Sequence, residues 1–347
     1  MLIPKRIIIT AVVMVMIFLG CNNTTSKENT KPSADIGTSD QKVGDVDSTT
    51  ILISTIDTLD YVERINKLAH DSITDRWPKQ GPIPNFGAIL PFHRIVAYYG
   101  NFYSKHMGIL GQYPEDEIIQ RLSKEVANWD SADTNTPVIP AIHYIAITAQ
   151  SKPGAGNTYR LRMPEKQIQK AIDLGRKMEG ITFLDVQIGH SKLQVEVPTL
   201  EKYLLNDDVH IGLDPEWSMQ NGTVPGRRIG TMDAKDINYV IEYLSELVKK
   251  NNLKPKILVL HRFTVGMITN SLLIQPTPEV QVVIHMDGFG FPAKKVDSYK
   301  RAVASFPVQF TGFKLFYKND ILTHPYRMMT PEEILNLYPK PVYIQYQ

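Results

Sequence analysis

From about residue 86 to the C-terminus, short apolar runs alternate with stretches whose apolar positions recur at helical spacing. The runs cover residues 86–90, 138–145, 181–186, 209–213, 257–260, 280–284, 310–315 and 342–345. They are four to eight residues long, rich in β-branched and aromatic side chains, and bounded by Gly, Pro, Asn or Asp, which predicts strands. Helical periodicity marks residues 114–129, 164–178, 233–250, 293–304 and 331–337, with one further helix at 58–70 ahead of the first run. Three of these stretches open on proline followed by acid: Pro114-Glu115-Asp116-Glu117, Pro164-Glu165 and Pro331-Glu332-Glu333. Proline fits the first helical turn, where its missing N–H costs nothing, and carboxylates there favour the helix dipole. Strands alternating with helices imply a parallel sheet, and eight units over roughly 260 residues fit a (β/α)8 TIM barrel. No glycine-rich dinucleotide fingerprint follows the first run, which disfavours an open doubly wound sheet and implies no cofactor. The last run ends at the C-terminus without a following helix, so the helix at 58–70 is expected to fill the eighth helical slot.

The first 55 residues break this rhythm. Lys5 and Arg6 precede an unbroken apolar stretch at 7–19 that closes on Gly20-Cys21, the layout of an export leader. Phe18-Leu19-Gly20-Cys21 resembles a bacterial lipobox, in which cleavage precedes the cysteine and the thiol carries diacylglycerol. The expected organisation is therefore a lipoprotein signal peptide at 1–20, a flexible polar tether at 21–55 and a barrel domain at 56–347. A transmembrane anchor that simply buries Cys21 is the alternative, and both place the globular part outside the cytoplasm, anchored at the cell membrane. The tether, rich in Ser, Thr, Asp and Lys, cannot bury enough apolar surface to offset its ordering entropy. Cys21 is the only cysteine of the chain, so the barrel domain has neither an internal disulfide nor a thiol nucleophile. Its stability must come from a large core, which 347 residues at 43% hydrophobic content can supply. A formal charge of +2 with no basic tract argues against a nucleic-acid partner.

Barrel enzymes draw their catalytic groups from the C-terminal ends of the strands and the loops that follow. Ionisable or aromatic residues stand at nearly every such end here. The first run leads to His93 and then Tyr98 and Tyr99, and the second holds His143. The third ends in Asp185 and Gln187, on one face by strand alternation, and the fourth is followed by Asp214, Glu216 and Trp217. The fifth ends in His261, the sixth in His285 and Asp287, the seventh carries Lys314 and Phe316, and the eighth ends near Tyr346. Plainer roles exist for several of them. A lone strand-end histidine such as His143 or His261 serves equally as a hydrogen-bonded structural residue. Asp287-Gly288 suits a turn, Asp185 suits a helix cap, and an inward Lys314 suits a neutralising partner for a carboxylate. Asp214 and Glu216 are harder to explain by folding alone, because two acids on one strand end are costly to bury.

Paired carboxylates with aromatic platforms are the equipment of glycoside hydrolysis. In that reading Glu216 is the general acid, Asp214 its partner, and Asp185 or Asp287 the second catalytic carboxylate. Trp217, Tyr98, Tyr99, Phe289 and Phe316 offer faces for sugars, with Gln187, His143, His261, His285 and Lys314 as further substrate contacts and no metal required. Residues 218–232 form either a specificity loop or a plain surface loop. Leu213-Asp214-Pro215-Glu216-Trp217-Ser218-Met219, Val224-Pro225-Gly226 with Ile229-Gly230, Asp287-Gly288-Phe289-Gly290 and Gly312-Phe313-Lys314-Leu315-Phe316 resemble motifs of a poorly characterised family of secreted bacterial barrel proteins. That resemblance spans residues 86–347 and implies a glycoside-hydrolase-like barrel without an established reaction. The Asp214-Pro215-Glu216 end is also similar to that of chitinases and barrel-shaped lysozymes. Val209-His210-Ile211-Gly212-Leu213 stands where the chitinase motif has spaced aspartates, so their substrate-assisted mechanism is not implied. Three readings follow: a monomeric lipid-anchored hydrolase of an envelope or extracellular glycan; a metal-dependent hydrolase drawing ligands from His93, His143, Asp185, His261, His285 and Asp287; and a non-catalytic glycan binder.

Overall fold

Eight parallel strands carry the architecture in a computed structural model, which describes residues 55–79 and 81–347. The leader, Cys21 and all but the last residue of the tether lie outside the described residues. The strands are β1 (Arg94–Gly100), β2 (Val138–Ala149), β3 (Ile181–Val186) and β4 (Val209–Leu213), then β5 (Lys256–Arg262), β6 (Val280–Met286), β7 (Phe310–Leu315) and β8 (Tyr343–Tyr346). Each pairs in parallel with the next, and β8 pairs with β1 in the register Ile95–Tyr343 to Tyr98–Tyr346, which closes the sheet. The fold is the (β/α)8 barrel that the alternation predicts.

Around the barrel run α2 (Glu115–Ala132) and α3 (Glu165–Lys177), the short α4 (Leu193–Glu196) and α5 (Glu201–Leu204), then α6 (Ala234–Asn251), α7 (Pro292–Tyr299) and α8 (Pro331–Leu335); α1 (Thr58–Leu68) precedes β1. Local sequence explains them. In α3, Ile168, Ala171, Ile172, Leu174 and Gly175 form the buried stripe, while Lys and Glu cover the other face. Thr330 and Glu333 form a reciprocal capping box at the start of α8. No α-helix follows β5: helical turns at Val265–Met267 and Ser271–Leu273 take its place, and Ile268–Thr269 pairs with Met232–Asp233. Among the described residues no helix is long and apolar enough to cross a membrane.

Two expectations are corrected. Residues 86–90 are not a strand; the first strand is Arg94–Gly100, buried along its whole length, and His93 precedes it at the N-terminal end, away from the mouth. The apolar character at 86–90 reflects a plug. Leu90 is fully buried among Ile95, Ile257, Val283 and Phe310, and its backbone N–H and C=O are both satisfied by the Gln281 side chain at 3.1 and 2.6 Å. The helix α1 does not take the eighth slot either. Its Ile65 and Leu68 pack against the same floor cluster, and the Leu68 carbonyl accepts from the N–H of Lys340, just ahead of β8. An amphipathic helix needs an apolar surface, and the floor supplies one, whereas the outer face of β8 is already occupied. That outer face is covered by α2, whose Trp129 Nε1 donates to Tyr346 Oη at 3.0 Å, and α2 meets α8 across the gap.

The N-cap of α1 tests whether this floor belongs to the cooperative fold. Asp57 Oδ1 accepts from the N–H groups of Leu59 and Asp60. Asp57→Ala is expected to lower unfolding free energy by about 1 kcal/mol in urea titration. An unchanged midpoint would show that α1 frays independently of the barrel.

Candidate functional site

The barrel interior has two halves. Its lower half is mainly apolar, built from Ile95, Ala97, Ala141, Ile181, Ile257, Val259 and Val283, with His210 and Gln281 as its buried polar members. Above them the inward positions are His143, Asp185, His261, His285, Tyr343 and Gln345, all essentially unexposed, where barrels ordinarily stack branched aliphatics. Burying that many polar groups is costly unless they bond one another. Tyr99 Oη donates to Asp185 Oδ2 at 3.1 Å, and Gln187 Nε2 reaches Tyr99 Oη and Asp214 Oδ2 at 3.3 and 3.2 Å. His143 Nδ1 bonds Tyr343 Oη at 2.6 Å, and Gln345 Nε2 donates to the same hydroxyl at 2.9 Å. Asp287 is held on both sides, by His261 Nδ1 at 2.8 Å on Oδ2 and by Lys314 Nζ at 2.9 Å on Oδ1. The Lys314 ammonium also lies over the Tyr99 ring, 3.8 Å from its centroid.

Asp214 and Glu216 do converge, though not by strand alternation. The strand ends at Leu213, and Pro215–Trp217 is a single helical turn that swings Glu216 inward over Asp287. Carboxylate oxygens of Asp214, Glu216 and Asp287 lie within 4.8 Å of one another. The turn is clamped from behind by residues 218–232: Gly230 N–H donates to the Glu216 carbonyl at 2.7 Å. A Cβ on Gly230 would come within 2.7 Å of the carbonyl oxygens of Pro215, Glu216 and Ser218, so glycine is required for that approach. Residues 218–232, which the sequence leaves as either a specificity loop or a plain surface loop, thus act as a buttress, and none of them is among the residues lining the cavity.

This environment divides the three carboxyls. Burial, followed by the charge of Asp287, pushes Glu216 up to about 7, and burial together with the charge of Glu216 raises Asp214 well above the usual carboxylate range. Burial acts on Asp287 in the same direction, but Lys314 and His261 outweigh it and hold that carboxyl below the usual range. Asp185 is likewise held low, since His261 and His143 outweigh its burial. Burial, helped by the charges of His261 and Lys314, takes His143 down to about 4 against the pull of Asp185, whereas the two aspartates flanking His261 overcome burial and lift it to about 10. An acid that keeps its proton near neutral pH therefore faces a carboxylate that does not.

The mouth opens into a cavity of about 600 Å³ lined in part by Tyr99, Gln187, Asp214, Glu216, Trp217, Asp287, Phe289, Lys314 and Phe316. They lie at or just beyond the C-terminal ends of β1, β3, β4, β6 and β7. Four expected substrate contacts do not line it. Tyr98 faces outward, its ring edge-on to those of Tyr317 and Tyr346, because adjacent strand residues point to opposite faces. His143, His261 and His285 lie beneath the carboxylate layer, as does Asp185, the alternative second carboxylate. The expected metal ligand His93 lies at the opposite end of β1. Sequence reasoning missed Tyr343, whose hydroxyl anchors His143, and it missed the cavity residues Met107, Phe263, Lys294 and Asn319. Tyr343 had a signal: it is two residues from Gln345 on a strand, hence on the same inward face.

No protein-family model and no curated protein matches the chain. Among solved structures, a ruminal GH26 endo-β-1,4-mannanase is similar with a TM-score of 0.38 and 8% identity, covering 79% of this chain and 66% of that one. GH26C from Muricauda sp. MAR_2010_75 is similar with a TM-score of 0.32 and 8% identity, covering 72% of this chain and 70% of its own. The chain spans just under two thirds of the first structure's length. Neither likeness assigns a role to any residue.

Proposed function

We propose that this barrel hydrolyses a glycosidic bond in an envelope or extracellular polysaccharide, with Glu216 as general acid and Asp287 as the second carboxylate. The observation that carries the reading is the pairing of a proton-retaining Glu216 with an ionised Asp287 in one cavity, their oxygens no more than 4.8 Å apart. Glu216 gives its proton to the leaving oxygen as the C–O bond breaks, and Asp287 bonds to the anomeric carbon; water, deprotonated by Glu216, then releases the sugar. Such close spacing suits this retaining course, since inverting pairs stand about 6.5–9.5 Å apart to admit water between them. Asp214, held neutral and bonded to Gln187, backs the turn that presents Glu216. Trp217, Phe316 and the exposed Phe289, which meets Phe316 edge-on at 6.0 Å, offer the apolar faces that pyranose rings stack on. The lipid anchor on Cys21 expected from the lipobox would hold the mouth near its polymer, at the cell membrane and outside the cytoplasm.

The test is release of reducing ends from fractionated envelope and extracellular glycans. Activity on at least one fraction is expected, with kcat/KM falling about tenfold per pH unit above about 7 as Glu216 loses its proton. Binding without cleavage across all fractions would replace the reading with that of a glycan-binding protein.

A further inference from the structure

Beneath the carboxylate layer, three fully buried atoms point at one another without hydrogen bonding. His143 Nε2, Asp185 Oδ1 and His261 Nε2 each lack a hydrogen-bond partner among the described residues, and all three side chains are wholly unexposed. The two nitrogens stand 3.3 and 3.5 Å from the carboxylate oxygen, and the three atoms lie within 4.8 Å of one another. Hydrogen bonds of this kind run at about 2.7–3.2 Å. Ligands held at about 2.0–2.1 Å from one tetrahedral ion are instead about 3.3–3.4 Å apart.

We propose that His143 Nε2, Asp185 Oδ1 and His261 Nε2 bind a divalent transition cation of the zinc class in the barrel interior. Two imidazoles and one carboxylate suit such an ion, whereas calcium and magnesium favour all-oxygen sets. The outer atoms of all three ligands are already engaged. His143 Nδ1 bonds Tyr343 Oη, His261 Nδ1 bonds Asp287 Oδ2, and Asp185 Oδ2 accepts from Tyr99 Oη. That is the outer shell that fixes ring orientation in metal sites. The backbone makes room as well: a Cβ on Gly212 would lie 2.5 Å from His143 Nε2 and 2.6 Å from Asp185 Oδ1, so this position of β4 tolerates no side chain against the ligand atoms. The site does not line the substrate cavity, so the cation organises the interior and, through His261, positions Asp287 rather than activating substrate. The proposal stands independently of the hydrolase reading.

The full chain, stripped with chelator and dialysed against Zn²⁺ or Co²⁺ at neutral pH, is expected to retain one equivalent, with Co²⁺ giving the visible absorption of low-coordinate nitrogen and oxygen ligation. Asp185→Asn and His143→Gln should lose the equivalent and the metal-dependent rise in Tm. Both variants remove a buried polar group and so risk the fold, and Tyr343→Phe supplies a milder check: losing the hydroxyl that holds His143 should weaken the dissociation constant about 10–100-fold with the fold intact by circular dichroism. A folded wild-type chain that takes up no stoichiometric metal and whose Tm ignores Zn²⁺ would overturn the proposal, leaving a proton on His261 to hold the cluster. Equal uptake by wild type and all three variants would overturn it too, by locating the metal elsewhere.

Discussion

Glu216→Gln is expected to cut polysaccharide hydrolysis by about 10²–10⁴-fold while leaving glycan binding intact. The amide keeps the shape of the side chain on the Pro215–Trp217 turn but has no proton to deliver. The loss should depend on the leaving group: an aryl glycoside whose phenolate departs unaided should lose far less turnover than the natural polymer. Asp287→Asn, by contrast, should fail on both substrates, because no leaving group replaces a missing nucleophile. Stability gives an independent readout. Glu216 has a raised pKa in the fold, so it favours the folded state below the ordinary carboxylate range and loses that contribution as pH rises toward about 7. Glu216→Gln should therefore unfold at a higher temperature than wild type at pH 8, with the gap closing toward pH 5. Equal turnover on the polymer would remove Glu216 from the mechanism.

Lys314→Met is expected to destabilise the fold by about 3–5 kcal/mol in urea titration. Methionine keeps most of the stem's volume, so the effect isolates the ammonium. Lys314 and Asp287 are both nearly unexposed, and removing the cation leaves a buried carboxylate supported by His261 alone. The double substitution Lys314→Met with Asp287→Asn should recover much of the loss, since it removes both charges rather than stranding one. The sign with pH follows from Asp287, which the fold holds below its ordinary pKa: its stabilisation is present above the ordinary carboxylate range and is lost as pH falls through the lower folded value. The penalty of Lys314→Met should thus be full at neutral pH and shrink as the solution is acidified below about pH 4. A single variant as stable as wild type would mean that the pair is solvated rather than buried.

Barrel and mouth were legible for particular reasons. Asp185 with Gln187, and His285 with Asp287, are spaced by two across strand ends, where the backbone is still extended enough for each pair to share a face. Asp214 and Glu216 were found by the same logic and converge for another reason, a helical turn that Pro215 begins. Parity was harder. Tyr98 and Tyr99 are adjacent aromatics on a strand buried on both faces, and with no polar–apolar alternation nothing in the chain says which one looks inward. The first strand was misplaced because a floor plug and a strand are equally apolar, and Leu90 needs Gln281, 191 residues away, to reveal its role. The amphipathic face of α1 told that it packs but not where, because a helix stripe carries no address. The cluster of His143, Asp185 and His261 joins three strands, and only barrel closure brings those side chains within a few ångströms.

The division of protons at the mouth is the claim on which the rest depends, and a carbon-13 titration of the Glu216 carboxyl measures it directly. A midpoint near 7 is expected in the wild-type chain, moving down in Asp287→Asn as the neighbouring negative charge is removed. A midpoint in the ordinary glutamate range, about 4–5, and unmoved by that substitution would contradict it.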